Sequence, residues 1–258
     1  MPRILTFLLF LSFSILFWGC PSDDDSNTNI NDANVEINFR AQFDGQDLQL
    51  FSERYDYAAN DTRLLLTLFQ FYVSDLQLVP TDGGEAITLT EIELVRWNES
   101  SDPSTLSFNY TDIPEGSYTI RFGLGVKPEL NNTNPSEFAA DFVLNENEFW
   151  NEMARYVFTK IEGNAELEDD DMFDTPVSYH IGKNDFYVTL DYPDATIDVS
   201  PDLTNEIDFT VDVERMMAAN ETIFADYRDE DTRIVHNPNS PISAQLWANL
   251  QQAILLIR

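Results

Sequence analysis

Alternation of apolar and polar side chains dominates the chain from residue 35 onward. Val35, Ile37, Phe39, Ala41 and Phe43 alternate with Glu36, Asn38, Arg40 and Gln42, the two-residue period of a strand with one face buried. Phe69, Phe71 and Val73 repeat it, then the apolar phase slips at Ser74-Asp75 and resumes at Leu76 and Leu78. One extra residue inside a strand makes a β-bulge, so the spacing predicts a bulge there. Thr81-Asp82-Gly83-Gly84 reads as a turn. Ile87, Leu89, Ile92 and Leu94 read as a strand with a second slip, and Leu106, Phe108 and Tyr110 as another. Ile113-Pro114-Glu115-Gly116 is a turn by its Pro and Gly, ahead of the clean alternation Tyr118, Ile120, Phe122, Leu124 and Val126. Further strands are expected at 156–162, 177–181, 185–191 and 206–213.

Helical signals are few. Residues 144–153 have an Asn-led start and acids in the first turn, which predicts a short helix; 214–220 suit another turn or two. Ser240-Pro241 supplies a cap and a first helical position, with Ile242, Leu246, Leu250 and Ile254 following at four-residue spacing. That predicts a C-terminal helix, fading before Arg258. Many short strands between Gly, Pro, Asn and Asp turns point to an all-β fold, an antiparallel β-sandwich or barrel, with the sandwich expected. No helix follows each strand, which argues against a parallel α/β sheet. No internal repeat is present, and one domain spans 35–258.

The N-terminus has a different pattern. Arg3 precedes an apolar run from Ile4 to Trp18, then Gly19 and Cys20. A charged start, a short apolar run and a small residue describe a secretory signal peptide over 1–19, too short for an ordinary spanning helix. Leu16-Phe17-Trp18-Gly19-Cys20 resembles a bacterial lipobox, although Phe17 and Trp18 are bulky for one; the resemblance implies lipidation of Cys20. Pro21-Ser22-Asp23-Asp24-Asp25-Ser26 and the Asn-rich stretch after it form an expected flexible linker over 20–34. Ser22 with three acids behind it resembles the export signal of Bacteroidetes surface lipoproteins. The expected location is therefore the outer membrane, lipid-anchored and facing the cell surface, or otherwise the periplasm.

Composition narrows the function. The 258 residues include 46 acids and 14 bases, a net charge of -32, which opposes nucleic-acid binding and repels anionic membrane surfaces. Attachment to a membrane must then come from the lipid. Hydrophobic content of 43% with 19 Phe and 10 Tyr supports a real core and excludes a disordered acidic tail. One Cys makes neither an internal disulfide nor a Cys-based zinc site.

Catalytic motifs are missing: no Gly-x-Ser-x-Gly elbow, Gly-rich phosphate loop or His-Glu-x-x-His helix occurs, and the chain reads as non-enzymatic. The acidic runs 168–171 and 229–231 are candidates for calcium, but neither has the spacing that folds a loop around that ion. Scarcity draws attention to His180, at a strand end before Gly182, and His236, just ahead of the terminal helix. A lone His is more often a hydrogen-bonded structural residue. Two from distant segments can instead share a transition metal, because imidazole suits copper and zinc.

Several segments resemble the MbnP-like domain, a copper-associated periplasmic or lipoprotein family. They are Phe71-Tyr72-Val73-Ser74-Asp75-Leu76-Gln77-Leu78, Ile113-Pro114-Glu115-Gly116-Ser117-Tyr118, Phe122-Gly123-Leu124-Gly125-Val126, and Phe149-Trp150 leading to Tyr156-Val157-Phe158. Ile161-Glu162-Gly163, His180-Ile181-Gly182 and His236 with a helix carrying Asn249 follow in the expected order. The resemblance implies a β-sandwich that binds copper or serves copper uptake, with His180 and His236 as metal residues. It also implies that Trp150 is the tryptophan oxidised to kynurenine by a di-haem, peroxidase-like partner, with an outer-membrane copper transporter as another expected partner. This chain departs at Glu152, where a second Trp is common, and at Arg155, where Gly usually precedes the Tyr. Those departures bear on the modification more than on the fold. Met153 and Met172 could offer sulfur to a soft ion but read as gap-fillers. A competing expectation is a surface adhesin or glycan-binding module, with Trp97, Trp247 or Tyr192 stacking on sugars.

Overall fold

The structure is a computed structural model that describes residues 32–52, 54–57, 62–98, 104–145, 148–152, 155–218 and 227–257. The expected leader, Cys20 and most of the linker lie outside the described residues. In chain order the strands are β1 (Asp32–Phe43), β2 (Gln46–Asp47), β3 (Tyr55–Tyr57), β4 (Thr62–Pro80), β5 (Ile87–Trp97) and β6 (Thr105–Pro114). Then come β7 (Gly116–Leu124), β8 (Phe149–Asn151), β9 (Arg155–Tyr156), β10 (Thr159–Glu166), β11 (Thr175–Ile181), β12 (Val188–Val199), β13 (Asn205–Asp212), β14 (Ile234–Val235) and β15 (Ile254–Ile257). The helices are α1 (Pro128–Asn132), α2 (Val213–Ala218), α3 (Glu230–Arg233) and α4 (Pro241–Ala253).

Two mixed sheets make the sandwich. In the first, β1 pairs with β6 antiparallel and with β13 in parallel, Val35 opposite Asn205 through Gln42 opposite Asp212; β15 then adds to β13. The second runs β12-β7-β4-β10-β11-β14, with β3 and β5 also on β4. The expected antiparallel order therefore holds for most pairs and fails for β1·β13 and β11·β14, which are parallel. The alternation of β1 is compatible with either direction, since it reports burial of one face and not the partner's polarity.

The inner faces meet through rings. Phe39 of β1 stacks on Phe209 of β13 at 5.1 Å and meets Phe71 of β4 and Phe122 of β7 edge-on at 5.7 and 6.3 Å. All four are buried, and removing each ring from water contributes about 2–3 kcal/mol. The predicted bulge is present. Asp75 adopts φ +46 and the β4·β7 register shifts between Ser74 and Gln77, so β4 switches partner from β10 to β7 at its midpoint.

Several local expectations need correction. Among the described residues of 144–153 there is no α-helix: Asn145 donates to the Phe142 carbonyl in a turn, the Tyr156 hydroxyl donates to the Leu144 carbonyl, and the Phe149 ring meets Tyr156 edge-on. The chain reverses there as the β8–β9 hairpin. At 185–191 a 3-10 turn over Asn184–Phe186 comes first, and the strand starts only at Val188. As expected, α4 is capped by Ser240 and ends before Arg258, at Ala253; Ile254, expected on the helix, instead opens β15, which pairs with β13. The linker is also shorter than expected, since β1 begins at Asp32.

Candidate metal centre

His180 and His236 come together through strand register. On β11, Val177 and Tyr179 are buried while Ser178 and His180 point to the outer face. Strand β14 lies parallel to β11 with Val235 opposite Tyr179, so the next residue of each, His236 and His180, fall side by side. Their rings stack with centroids 4.5 Å apart and planes 17° from parallel. The Tyr179 hydroxyl, on the core side, donates to the Thr232 carbonyl of α3 at 3.0 Å, tying down the segment that carries His236.

Trp150 closes the group from a third segment. Its ring stands edge-on to both imidazoles, with centroids 4.9 Å from His180 and 5.4 Å from His236. At 42% exposure it is a ring held at the surface by these contacts rather than a core aromatic. Gly182, two residues past His180, admits this arrangement: a β-carbon there would lie 2.5 Å from the Phe158 nitrogen and 2.7 Å from the Tyr156 carbonyl oxygen. Glycine thus lets the chain leaving the hairpin run against the end of β11.

Two further side chains belong to the site. Ser178 Oγ lies 3.3 Å from His180 Nε2 and 2.9 Å from His236 Nε2, so both rings aim a nitrogen at one oxygen. Glu162 of β10, opposite Ser178 in register, accepts from His180 Nε2 at 2.6 Å. In the neutral ring that hydrogen bond leaves the lone pair on Nδ1, and His180 Nδ1 is buried with no hydrogen-bond partner. The His180 hydrogen bond, working against burial, holds the Glu162 carboxyl below the usual carboxylate range. Burial, reinforced by His180, pushes His236 below its ordinary value, with Glu162 pulling the other way. Beside the site Glu148 joins Arg96 at 2.5 Å and Lys160 at 3.4 Å, and Lys160 is the cross-strand neighbour of His180.

Two neighbouring imidazoles are a donor type that suits copper. The two Nε2 atoms face the Ser178 hydroxyl, while the lone pair that the Glu162 hydrogen bond leaves to a neutral His180 ring is on the buried, unpartnered Nδ1. Among the described residues no three His, Cys, Asp or Glu side chains form a group that could hold a metal. That includes the acidic runs read as calcium candidates: Asp171 pairs with Arg63 at 2.7 Å, and Asp229 caps α3. Met153 lies outside the described residues and Met172 is exposed. Of the suggested sugar-stacking rings two are closed off and the third, Tyr192, is half-buried. Trp97 and Trp247 are buried, and the Tyr192 hydroxyl donates to the Ile254 carbonyl at 3.3 Å.

Of the residues read from sequence, Trp150, His180 and His236 meet, and Cys20 lies outside the described residues. Glu162 and Ser178 were missed as members. Each is one polar residue among several on an outward strand face, and only the β10·β11 register singles them out.

Among solved structures, "MbnP from Methylosinus trichosporium" resembles the chain at 15% identity, covering 72% of this chain and 77% of that one with a TM-score of 0.47. Curated proteins give no match. A family model, MbnP, matches residues 32–237, a span that takes in Trp150, His180 and His236. The chain belongs to the MbnP family.

Proposed function

We propose that this protein is a non-enzymatic copper-binding protein of the cell envelope that holds the ion through His180 and His236, with Trp150 against both rings. The observation that carries this reading is the stacking of the chain's two histidines, 56 positions apart in sequence, at 4.5 Å beneath one indole. Neutral imidazoles supply nitrogen lone pairs, and Glu162 accepts a hydrogen bond from one of them, the outer carboxylate–histidine contact that fixes ring orientation in metal sites. Bound copper would supply Lewis acidity and a redox couple; the protein's part is to orient two rings and to shelter one nitrogen. The N-terminal pattern supports a lipid on Cys20, and the MbnP membership supports a role beside copper uptake with a di-haem or transporter partner.

Copper titration tests the reading. Wild type is expected to take up copper at close to one ion per chain, and His180→Ala and His236→Ala each to lose most of that affinity. Affinity is expected to fall as pH drops below about 6, where imidazole protonates. Burial lowers the pKa of His236, so its nitrogen stays available somewhat below the ordinary 6.5. Unchanged affinity in both alanine variants would overturn the assignment.

A further inference from the structure

Trp150 belongs to neither large sheet. Among the described residues its hairpin pairs Phe149 with Tyr156 and Asn151 with Arg155, and an isolated two-stranded hairpin is marginal in water. Something outside the hairpin must keep the indole against the histidines.

Arg155 makes the required contacts. Its Nε donates to the Asn131 carbonyl at 2.9 Å, and Nη2 donates to the carbonyls of Asn132 at 2.6 Å and Thr133 at 3.2 Å. These are oxygens at the C-terminal end of α1, which lack helical partners of their own. Nη1 meets Glu152 within the hairpin at 2.8 Å, and the guanidinium lies over the Phe149 ring at 5.4 Å. The neighbouring Tyr156 amide donates to the buried Asn131 side chain at 3.2 Å. One side chain therefore ties both strands of the hairpin to α1. Arg155 does this from φ +59, the left-handed region that glycine occupies without strain. A glycine would serve the backbone there and provide none of the anchoring.

We propose that Arg155 is a positioning residue for the metal centre: it pins the β8–β9 hairpin to α1 and so presets the Trp150 ring over the His180–His236 pair. The proposal rests on the copper reading above for its consequence, and on geometry alone for its mechanism. Removing the guanidinium loosens the hairpin and frees the indole, while the sandwich is untouched.

Acrylamide quenching of tryptophan fluorescence reads this directly, because Trp150 is 42% exposed while Trp97 and Trp247 are 2% and 3% exposed. A Trp150→Phe variant supplies the background of the other tryptophans. In Arg155→Gly, which keeps the left-handed backbone, quenching of Trp150 is expected to rise about twofold and copper affinity to fall about tenfold, with far-ultraviolet circular dichroism unchanged. Arg155→Lys keeps the charge and stem but not the fork that reaches three carbonyls, so intermediate quenching is expected. It also serves where the glycine variant does not fold. Wild-type quenching in the folded variants would overturn the proposal. Absence of copper binding in wild type would sink the functional reading instead, and the quenching comparison would still decide the role of Arg155.

Discussion

At Gly182 the nearest obstacles to a side chain are backbone atoms of Tyr156 and Phe158, which cannot swing aside as a flexible side chain would. Gly182→Ala is therefore expected to destabilise the protein by about 2 kcal/mol or more and to disturb copper binding, since the same strand end carries His180. Urea unfolding measures the first effect, and an unchanged midpoint would contradict the close approach. The sequence makes such residues visible unevenly. His180, His236 and Trp150 stand out because histidine and tryptophan are rare here and the family pattern contains them. Arg155 appears in sequence only as a departure from that pattern. Its φ of +59 shows why glycine suits the position, and its bonds to the α1 carbonyls show what an arginine adds.

Strands were legible wherever one face is buried and the other wet, as in β1, β7 and β13. Alternation carries no information about partners, so neither the parallel pairing of β1 with β13 nor the placement of β14 beside β11 could be read from it. The 144–153 region failed for a related reason. An Asn and a few acids resemble a helix start, but the apolar residues Phe149 and Tyr156 have a better use in facing each other across a hairpin. Register also creates local electrostatic cost. Glu93 of β5 sits opposite Val73, and burial raises its pKa, partly offset by a hydrogen bond from Thr90. A carboxyl raised in the folded state contributes its stability below the unfolded pKa and loses it as pH rises through the folded value. Glu93→Gln is accordingly expected to stabilise the protein slightly at pH 7, on the order of 0.5 kcal/mol, and to change little near pH 4. Urea midpoints at the two pH values check this, and a variant equally stabilised at both would contradict it.

Over the whole molecule the excess of acids acts in one direction. Loss of residues 1–19 would remove Arg3 and no acid, leaving 13 bases against 46 acids, or -33. Self-repulsion of that size opposes the folded state and is screened by salt. The melting temperature is expected to rise between 10 mM and about 0.5 M sodium chloride. A flat or falling profile in differential scanning calorimetry would show that the ion pairs, such as Glu148 with Arg96 and Lys160, outweigh the repulsion. Charge excludes whole classes of function but gives no hint of where the site lies: among the plentiful acids only Glu162 belongs to the group formed by His180, His236 and Trp150.

The parallel pairing of β1 with β13 has a consequence in time. Asn38 of the first strand bonds Asp208, 170 positions further along the chain, side chain to side chain at 2.9 Å, and β1 lies between β6 and β13. The first strand to be made is thus among the last to be completed. A growing chain can form the β4–β5 hairpin early, but it cannot finish the sheet around β1 until residue 212 is available. Long-range pairing of this kind slows folding, because the loop entropy is spent before the contact forms. A chain cut before β13 would be an unfinished sandwich rather than a smaller one, with Phe39 lacking the ring it stacks on.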